Sequence, residues 1–289
     1  MTGALPFPDI DPVIFQIGPI ALRWYALAYI VGIGIGYWLM ARLLRRPTLW
    51  LADTAPMEPA RLEDLLTYIV IGVIAGGRLG YVLFYKPEYY LANPAEIPMI
   101  WTGGLSFHGG FIGVVLAVLL FSRRHAVPLA QLSDLVALAA TPAILLVRIA
   151  NFINGELWGR PADVPWAVVF PSQAAQDCPG IEGLCARHPS QLYEAGLEGL
   201  LLGLLLFVLA TRFSAFKRPW TLSAVFFIGY GLARFAVEFV RQPDAQFVSP
   251  DNPLGWRLDF GDWGLTMGQL LSLPMILVGL AVLLTVRRR

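Results

Sequence analysis

Residues 138–160 read L-A-A-T-P-A-I-L-L-V-R-I-A-N-F-I-N-G-E-L-W-G-R, an apolar run that turns abruptly polar. Arg148 stands at the end of the apolar part, and Asn151, Asn154 and Glu156 follow closely. An unpaired charge in the apolar part of a membrane costs about 2.5–3.5 kcal/mol even on the lenient insertion scale. The stretch therefore predicts a transmembrane helix that ends in a functional site, with Arg148 at its centre.

The whole chain has the composition of a helical membrane protein. Of its 289 residues, 57% are apolar and 14% are charged, whereas a soluble domain has roughly 25% charged residues. The formal net charge of +1 says little about partners, and no nucleic-acid partner is expected. The first 19 residues lack a basic region and contain Asp9 and Asp11, so we do not expect a signal peptide.

Apolar runs bounded by charged residues, Pro or Gly predict an all-α integral membrane protein with seven transmembrane helices, because a span needs about 20 apolar residues. Residues 1–289 are expected to form one integral membrane domain, with an outer segment at 151–190 between the fourth and fifth spans. The predicted spans are residues 20–41, 65–85, 105–122, 132–150, 191–211, 220–240 and 265–286.

The Lys and Arg residues between these spans predict the orientation, because cytoplasmic loops carry the excess of basic residues. The larger group is Arg42, Arg45, Arg46, Arg61, Arg123, Arg124, Arg212, Lys217, Arg218, Arg287, Arg288 and Arg289. The smaller group, on the opposite side, is Lys86, Arg160, Arg187, Arg241 and Arg257. The N-terminus is therefore predicted to be outside and the C-terminus inside.

In this orientation the polar side chains within the spans gather in the outer half of the membrane. Arginines there, rather than lysines, favour planar recognition of a phosphate or carboxylate. The membrane's own anions at that depth are phospholipid head groups, so the pattern predicts an outer-leaflet site for an anionic lipid. The polar residues concerned are Arg23, Tyr25, Arg78, His108, Arg148, Gln191, Glu194, Glu198, Tyr230, Arg234 and Glu238.

His108 lies in S-F-H-G-G, residues 106–110. Flanking glycines let a backbone approach a ligand closely, and histidine is the natural proton acceptor near neutral pH. The alternative is a histidine that only anchors a helix at the membrane surface. We favour the functional interpretation because of the glycines and the nearby arginines. For His188, which opens H-P-S-Q-L-Y-E, structural and functional roles both stay open.

Tyr230, Arg234 and Glu238 are spaced to share one helix face, which predicts an Arg234–Glu238 ion pair. Such a pair lowers the cost of burying both charges and keeps Arg234 directed into a cavity. Arg78 lies in G-G-R-L-G-Y, and glycines at this spacing are typical of close helix packing. We therefore expect a structural role for Arg78.

The two outer segments differ in character. Residues 86–104 are aromatic and broken by Pro, as expected for an arm at the membrane interface. Residues 151–190 contain Cys178 and Cys185, which can form a disulfide in an oxidising compartment or remain free. A catalytic cysteine is not expected, because D-C-P-G-I-E-G-L-C offers no neighbouring base.

Four motifs together give the chain a close resemblance to the bacterial prolipoprotein diacylglyceryl transferases. They are H-G-G at 108–110, R-I-A-N-F-I-N-G-E-L-W-G-R at 148–160, R-H-P-S-Q-L-Y-E at 187–194 and E-F-V-R-Q-P-D-A-Q at 238–246. The resemblance runs nearly end to end, from D-P-V-I-F near residue 11 to M-G-Q-L-L-S-L-P-M near residue 270. It departs at Val147, where that family usually has glycine.

The resemblance implies transfer of the diacylglyceryl group of phosphatidylglycerol to the lipobox cysteine in the signal peptide of a prolipoprotein. A thioether forms and glycerol phosphate is released, in the first step of lipoprotein maturation at the periplasmic face of the inner membrane. The resemblance implies no cofactor, and no spacing of His, Cys and carboxylates suggests a metal site. The residues that match functional positions of the family are Tyr25, His108, Arg148, Asn151, Glu156, Gly159, Tyr230, Arg234 and Glu238.

The expected roles follow from the chemistry of this reaction. His108 would accept the thiol proton, while Arg148 and Arg234 would stabilise the departing phosphate. Tyr25, Asn151 and Asn154 would hydrogen-bond the head group. Glu156 and Glu238 would orient the arginines.

Two other classes use some of the same residues. A transporter or scramblase of anionic phospholipids would use the arginines without His108. It should also have polar groups through the full depth of the bilayer, whereas the inner halves of these spans are nearly all apolar. A purely structural membrane protein would need neither the histidine nor the asparagines at one leaflet.

Overall fold

The computed structural model describes residues 3–18, 20–249 and 251–287, most of which are helical. The long helices coincide with the apolar runs of the sequence. The helices are α1 Trp24–Leu44, α2 Leu62–Phe84, α3 Pro87–Ala92, α4 Phe107–His125, α5 Leu129–Ile153, α6 Gln173–Gln176, α7 Ser190–Arg212, α8 Thr221–Val237 and α9 Met267–Arg287.

The described residues also form three two-stranded sheets. One is parallel, and the other two are antiparallel hairpins. The strands are β1 Leu5–Pro6 with β4 Val168–Val169, β2 Val13–Ile17 with β3 Ile20–Arg23, and β5 Trp256–Asp259 with β6 Gly264–Thr266.

The hairpins correct two predicted span boundaries. The first span was predicted to begin at residue 20, but residues 20–23 pair as strand β3 and the helix begins at Trp24. The last was predicted to begin at residue 265, but β6 ends at Thr266 and the helix begins at Met267. In both places the apolar pattern continues through a paired strand, so composition alone does not mark the helix start.

Within the described residues, six helices are long and apolar enough to cross a membrane, and α8 is an apolar helix of 17 residues, below that length. The prediction of an all-α integral membrane protein agrees with this architecture. The count of seven spans and the orientation stay predictions, and Arg288 and Arg289, which the orientation uses, lie outside the described residues.

The chain divides into two compact units, residues 40–136 in one and residues 1–39 with 137–289 in the other. We call the latter the main unit and the former the arm unit.

In the arm unit, glycines bring α2 and α4 into close contact. A Cβ added to Gly72 would lie 2.5 Å from the carbonyl oxygen of Gly113, and one added to Gly80 would lie 2.7 Å from the Cα of Gly109. Small residues at such spacings let two helix backbones approach. The packing role expected for the glycines around Arg78 agrees with this geometry.

Arg78 itself is buried and holds the segment at 86–104. Its guanidinium lies 5.0 Å from the centre of the Tyr90 ring. It donates hydrogen bonds to the carbonyl oxygens of Glu96, Ile97, Gly103 and Gly104. Arg78 therefore has the structural role that the sequence predicts.

In the main unit, α7 packs closely on α5. A Cβ added to Gly199 would lie 2.5 Å from the Cα of Leu145, and one added to Gly203 would lie 2.6 Å from Oγ1 of Thr141. Arg148 lies about one turn beyond Leu145, and α5 continues to Ile153. The sequence analysis expects the fourth span to end at residue 150, close to Arg148. In the structure the helix extends further, so Arg148 projects from its last turns beside α7.

Candidate active site

The buried carboxylate of Glu194, on α7, joins arginines from two other parts of the chain. Its Oε2 lies 3.0 Å from Nη1 of Arg148 on α5. Its Oε1 lies 3.1 Å from Nη1 of Arg234 on α8 and 3.0 Å from Nη1 of Arg241, just beyond α8. One side chain thus fixes three guanidinium groups.

Two further carboxylates extend this arrangement. Glu198 Oε2 lies 3.5 Å from Nη2 of Arg148, and Glu238 Oε2 lies 2.8 Å from Nη2 of Arg234. The predicted Arg234–Glu238 pair is therefore confirmed. We call the alternating row Glu198–Arg148–Glu194–Arg234–Glu238 the ionic chain.

In the ionic chain, the glutamate side chains are buried and the arginine side chains are partly exposed. The side chains of Glu194 and Glu198 are 0% exposed, whereas those of Arg148 and Arg234 are 18% and 20% exposed. Buried charges are tolerated where each one is paired. A guanidinium has five N–H donors, so two carboxylate contacts leave donors on each arginine for a further anion.

Tyr230 and Tyr25 are the two tyrosines that the sequence analysis selected. Tyr230, on α8, interacts with Arg148 and Glu198 and so belongs beside the ionic chain. The Tyr25 hydroxyl lies 3.5 Å from the hydroxyl of Tyr29, one turn along α1.

Asn151, Asn154 and Glu156 form a second polar cluster at the end of α5. Nδ2 of Asn151 donates to Oε1 of Glu156 at 2.7 Å, and Nδ2 of Asn154 lies 3.4 Å from the same oxygen. Gln191 of α7 donates to the backbone carbonyl of Glu156. The carboxylate of Glu156 thus holds two asparagines, whereas Glu194 and Glu198 hold Arg148. The role of Glu156 in orienting an arginine stays a prediction.

Gly159 is buried between two backbone segments. Its N–H donates to the carbonyl of His188 at 2.8 Å, and the next N–H, of Arg160, donates to the carbonyl of Val240. A Cβ at Gly159 would lie 2.5 Å from the Val240 carbonyl oxygen and 2.7 Å from the His188 Cβ. The structure thus gives Gly159 a packing role, and the part in substrate binding that the resemblance implies for it stays a prediction.

Arg187 holds the outer segment together and is only 2% exposed. Its guanidinium lies 4.1 Å from the centre of the Trp158 ring. Burial lowers the pKa of Arg187, and its acceptors compensate for the lost hydration. These acceptors are the carbonyl oxygens of Ala175, Asp177 and Gly159 and Oε1 of Gln242.

A disulfide between Cys178 and Cys185 closes a loop of this outer segment. The loop is tied to Arg187 through Asp177, the residue before Cys178. Of the two possibilities that the sequence left open, the structure contains the disulfide.

His108 belongs to the arm unit, in the first turn of α4, and is exposed. The next residue, Gly109, packs against Gly76 and Gly80 of α2. Gly109, one of the glycines that favoured a functional role for His108, therefore serves helix packing as well. Its catalytic role stays a prediction.

The sequence analysis included Glu194 and Glu198 among the polar residues of the outer half of the membrane. It gave no role in the site to these two glutamates, to Arg187 or to Arg241. Glu194 and Glu198 carry a recognisable signal, because two glutamates four residues apart share one face of an apolar helix. Arg241 contributed only to the prediction of membrane orientation, although it lies seven residues after Arg234. Among the described residues, no group of three His, Cys, Asp or Glu could hold a metal ion.

His188 makes the stability of this region dependent on pH. Its Nδ1 lies 3.1 Å from the hydroxyl of Tyr193, and that hydroxyl accepts a hydrogen bond from Nε1 of Trp166. The hydroxyl proton is then directed at Nδ1, which accepts it only when the ring is neutral. Burial also lowers the pKa of His188 below its ordinary value of 6.5.

We therefore expect the protein to lose stability as the pH falls below about 6.5, the pKa of His188 in the unfolded chain, because that chain takes up the proton first. The loss should be complete once the pH has passed the lower, folded pKa. Thermal unfolding in detergent at pH 7.5 and pH 5.5 tests this. His188→Gln should reduce the difference between the two unfolding temperatures, and an undiminished difference would assign it to other groups.

Apolar helices carry a buried arginine–carboxylate network, and a buried arginine and a disulfide hold the segment at residues 151–190. These features define an integral membrane protein with a candidate site for an anion. The model of the family described as prolipoprotein diacylglyceryl transferase matches residues 12–285. The chain belongs to this family.

Curated relatives are similar over nearly the whole chain. A protein of Ruegeria pomeroyi named phosphatidylglycerol–prolipoprotein diacylglyceryl transferase is 61% identical over 99% of both chains. Proteins with the same name from Roseobacter denitrificans and Brucella anthropi are 57% and 48% identical, over 97% and 96% of this chain and 97% and 92% of their own lengths.

Proposed function

We propose that the protein transfers the diacylglyceryl group of phosphatidylglycerol to the cysteine thiol of a prolipoprotein. A thioether forms and glycerol phosphate leaves, which is the first step of lipoprotein maturation. The observation that carries the proposal is the pair Arg148 and Arg234, each partly exposed and both held by Glu194. The names of the relatives give the same two substrates for those proteins.

The chemistry is a displacement at the glyceryl carbon that carries the phosphate. The sulfur forms a bond to that carbon, the carbon–oxygen bond breaks, and its electron pair stays on the phosphate oxygen. Negative charge on the phosphate therefore grows in the transition state, where Arg148 and Arg234 interact with it more strongly than in the ground state. The free thiol has a pKa of about 8.5, so a base that removes its proton speeds the attack.

The other selected residues contribute to lipid binding in this proposal. Asn151 and Asn154 keep donors near the end of α5, with Glu156 fixing their orientation. Tyr25 and Tyr230 present hydroxyl groups to the head group. Glu238 acts through Arg234, which it contacts directly.

We further propose that the protein has seven transmembrane spans, with α8 as the sixth. Its 17 residues lie at the lower end of the range of roughly 17–25 for a transmembrane helix. The excess of Lys and Arg in the opposite loops then places the active site at the periplasmic leaflet of the bacterial inner membrane. The signal peptide of the prolipoprotein would reach it with the lipobox cysteine at that surface.

A direct assay tests the activity. Purified protein in detergent is mixed with phosphatidylglycerol and a lipobox peptide, and the peptide mass is followed. The peptide should gain one diacylglyceryl group, and a Cys→Ser peptide should gain none. Absence of transfer, or equal modification of the serine peptide, would reject the proposal, and lipid movement across vesicles without transfer would favour a scramblase.

We propose His108 as the base that accepts the thiol proton. General base catalysis contributes roughly 10²–10⁴-fold, so His108→Gln should lower kcat by about 100-fold. The variant should also lose the acidic limb of the pH–rate profile. His125→Gln, at the far end of α4, is the matched control. A profile in His108→Gln that keeps the wild-type shape would leave His108 a positioning role at most.

A further inference from the structure

We propose that Glu194 is a positioning residue that sets the spacing of Arg148 and Arg234 and thereby the affinity for the phosphate of the lipid. This inference rests on the proposed function and deepens it. Glu194 does not touch the lipid itself, because its side chain is 0% exposed.

The contacts of the three glutamates differ in one respect. Glu198 contacts Arg148 of α5, and Glu238 contacts Arg234 of α8. Glu194 contacts both, with a separate oxygen for each. Among the ion pairs of the described residues, only Glu194 links the arginine of α5 to the arginine of α8.

The backbone that carries Glu194 is fixed in place. Directly after Glu194, residues Ala195–Leu201 form a π-helical segment of α7, a geometry that often accompanies functional sites. Gly199 in this segment packs against the backbone of Leu145 on α5. The carboxylate therefore projects from a helix whose backbone lies in direct contact with the helix that carries Arg148.

A carboxylate in this position counters the repulsion of the two guanidinium groups. Two positive charges that share one carboxylate repel each other strongly where water is excluded. Without Glu194, each guanidinium group would turn towards another partner. A misplacement of about 1 Å in a catalytic group can cost about 100-fold in rate. Glutamine would keep the shape of Glu194, but it has one acceptor oxygen, and its NH₂ group would face an arginine.

The first experiment compares the two Michaelis constants of Glu194→Gln. We expect kcat/KM for phosphatidylglycerol to fall by about 100-fold, with a higher KM for this lipid and an unchanged KM for the lipobox peptide. A merely misfolded fraction would lower kcat and leave both constants unaltered. Glu198→Gln is the matched control, because Glu198 is equally buried but contacts only one of the two arginines, Arg148, at 3.5 Å, so its effect should be smaller. Equal KM changes in both variants would overturn the inference.

A double variant distinguishes the positioning role of Glu194 from the effect of its charge. Glu194→Gln combined with Arg241→Gln removes one charge of each sign, so the charge balance of the cluster is restored. If Glu194 acts by position, the KM for phosphatidylglycerol stays raised, and a return to the wild-type value would overturn the inference. Should Glu194→Gln fail to fold, Glu194→Asp keeps the charge but withdraws the carboxylate, and the same rise in KM is expected.

A binding measurement keeps this inference separate from the proposed function. Thermal unfolding is followed in micelles containing phosphatidylglycerol or, as the comparison without net charge, zwitterionic phosphatidylcholine. Wild-type protein should be stabilised selectively by phosphatidylglycerol, and Glu194→Gln should lose that selectivity. If wild-type protein transfers nothing but this difference is seen, the proposed activity fails and the role of Glu194 stands. An unchanged selectivity in Glu194→Gln would overturn the role whatever the activity.

Discussion

Arg148→Lys should lower transfer by on the order of 10³-fold or more, because lysine cannot make the two directed contacts of the guanidinium group. Arg148 contacts Glu194 through Nη1 and Glu198 through Nη2, and the rest of the group faces the partly open side of the ionic chain. Lysine keeps the positive charge and is a compact point donor. It can therefore compensate the buried carboxylates in part, without holding the phosphate in one orientation.

Arg148→Ala removes the same contacts completely. It leaves Glu194 with two arginine partners and removes the ion pair of Glu198, and breaking a buried pair costs about 3–5 kcal/mol. We expect no turnover together with a lower unfolding temperature, whereas Arg148→Lys should lose turnover with a smaller change in stability. Comparing the two by peptide mass and thermal unfolding separates catalysis from folding.

The control for this series is Arg124→Ala. Arg124 lies in the last turn of α4 and is exposed. Its loss should alter expression or topology at most and leave the turnover of the purified protein unchanged. Wild-type turnover in Arg148→Lys and Arg148→Ala would remove Arg148 from the active site.

Gly159→Val should abolish activity by a different route. Any Cβ at this position meets the carbonyl of Val240 and the side chain of His188, and the branched valine adds two methyl groups there. The segments on either side of Gly159 would have to separate, which breaks the hydrogen bonds of Gly159 and Arg160 to their carbonyl acceptors. Val240 precedes Arg241, so the displacement passes directly to a guanidinium bound to Glu194.

We expect Gly159→Val to show background activity, a reduced yield of folded protein and a lower unfolding temperature. Overpacking alone costs about 1–3 kcal/mol, and the lost backbone hydrogen bonds add to it. Gly34→Val, in α1, is the matched control, because a Cβ there meets nothing within 4 Å. It should retain activity and stability. Normal activity and stability in Gly159→Val would show that the two segments tolerate separation.

The local parts of the site could be predicted from sequence. Tyr230, Arg234 and Glu238 lie on one helix face because the helix repeat places them there, and the structure contains the Arg234–Glu238 ion pair. The polar cluster after Arg148 was also visible as a change in composition. Its internal hydrogen bonds were not, because the chain turns through positive φ angles at Gly155 and Leu157 and brings Glu156 back to Asn151.

The arginine partners that lie on other helices could not be predicted from sequence, and neither could the purpose of Gly159. Glu194 was recognised as a polar residue in an apolar helix, but nothing in the sequence assigns it to Arg148 and Arg234. That assignment depends on how α7 packs against α5 through Gly199. The structure has no explanation for Val147 in place of the usual glycine.

The sequence by itself determined that this is a helical membrane protein, and its motifs carry the resemblance to the diacylglyceryl transferase family. Composition and helix periodicity suffice for the helical membrane fold, since both depend on neighbouring residues. Only the tertiary structure decided that Glu194 holds the arginines together and that Gly159 serves packing. Those properties arise from residues far apart in the chain, and the close approach of backbones at particular glycines brings them into contact.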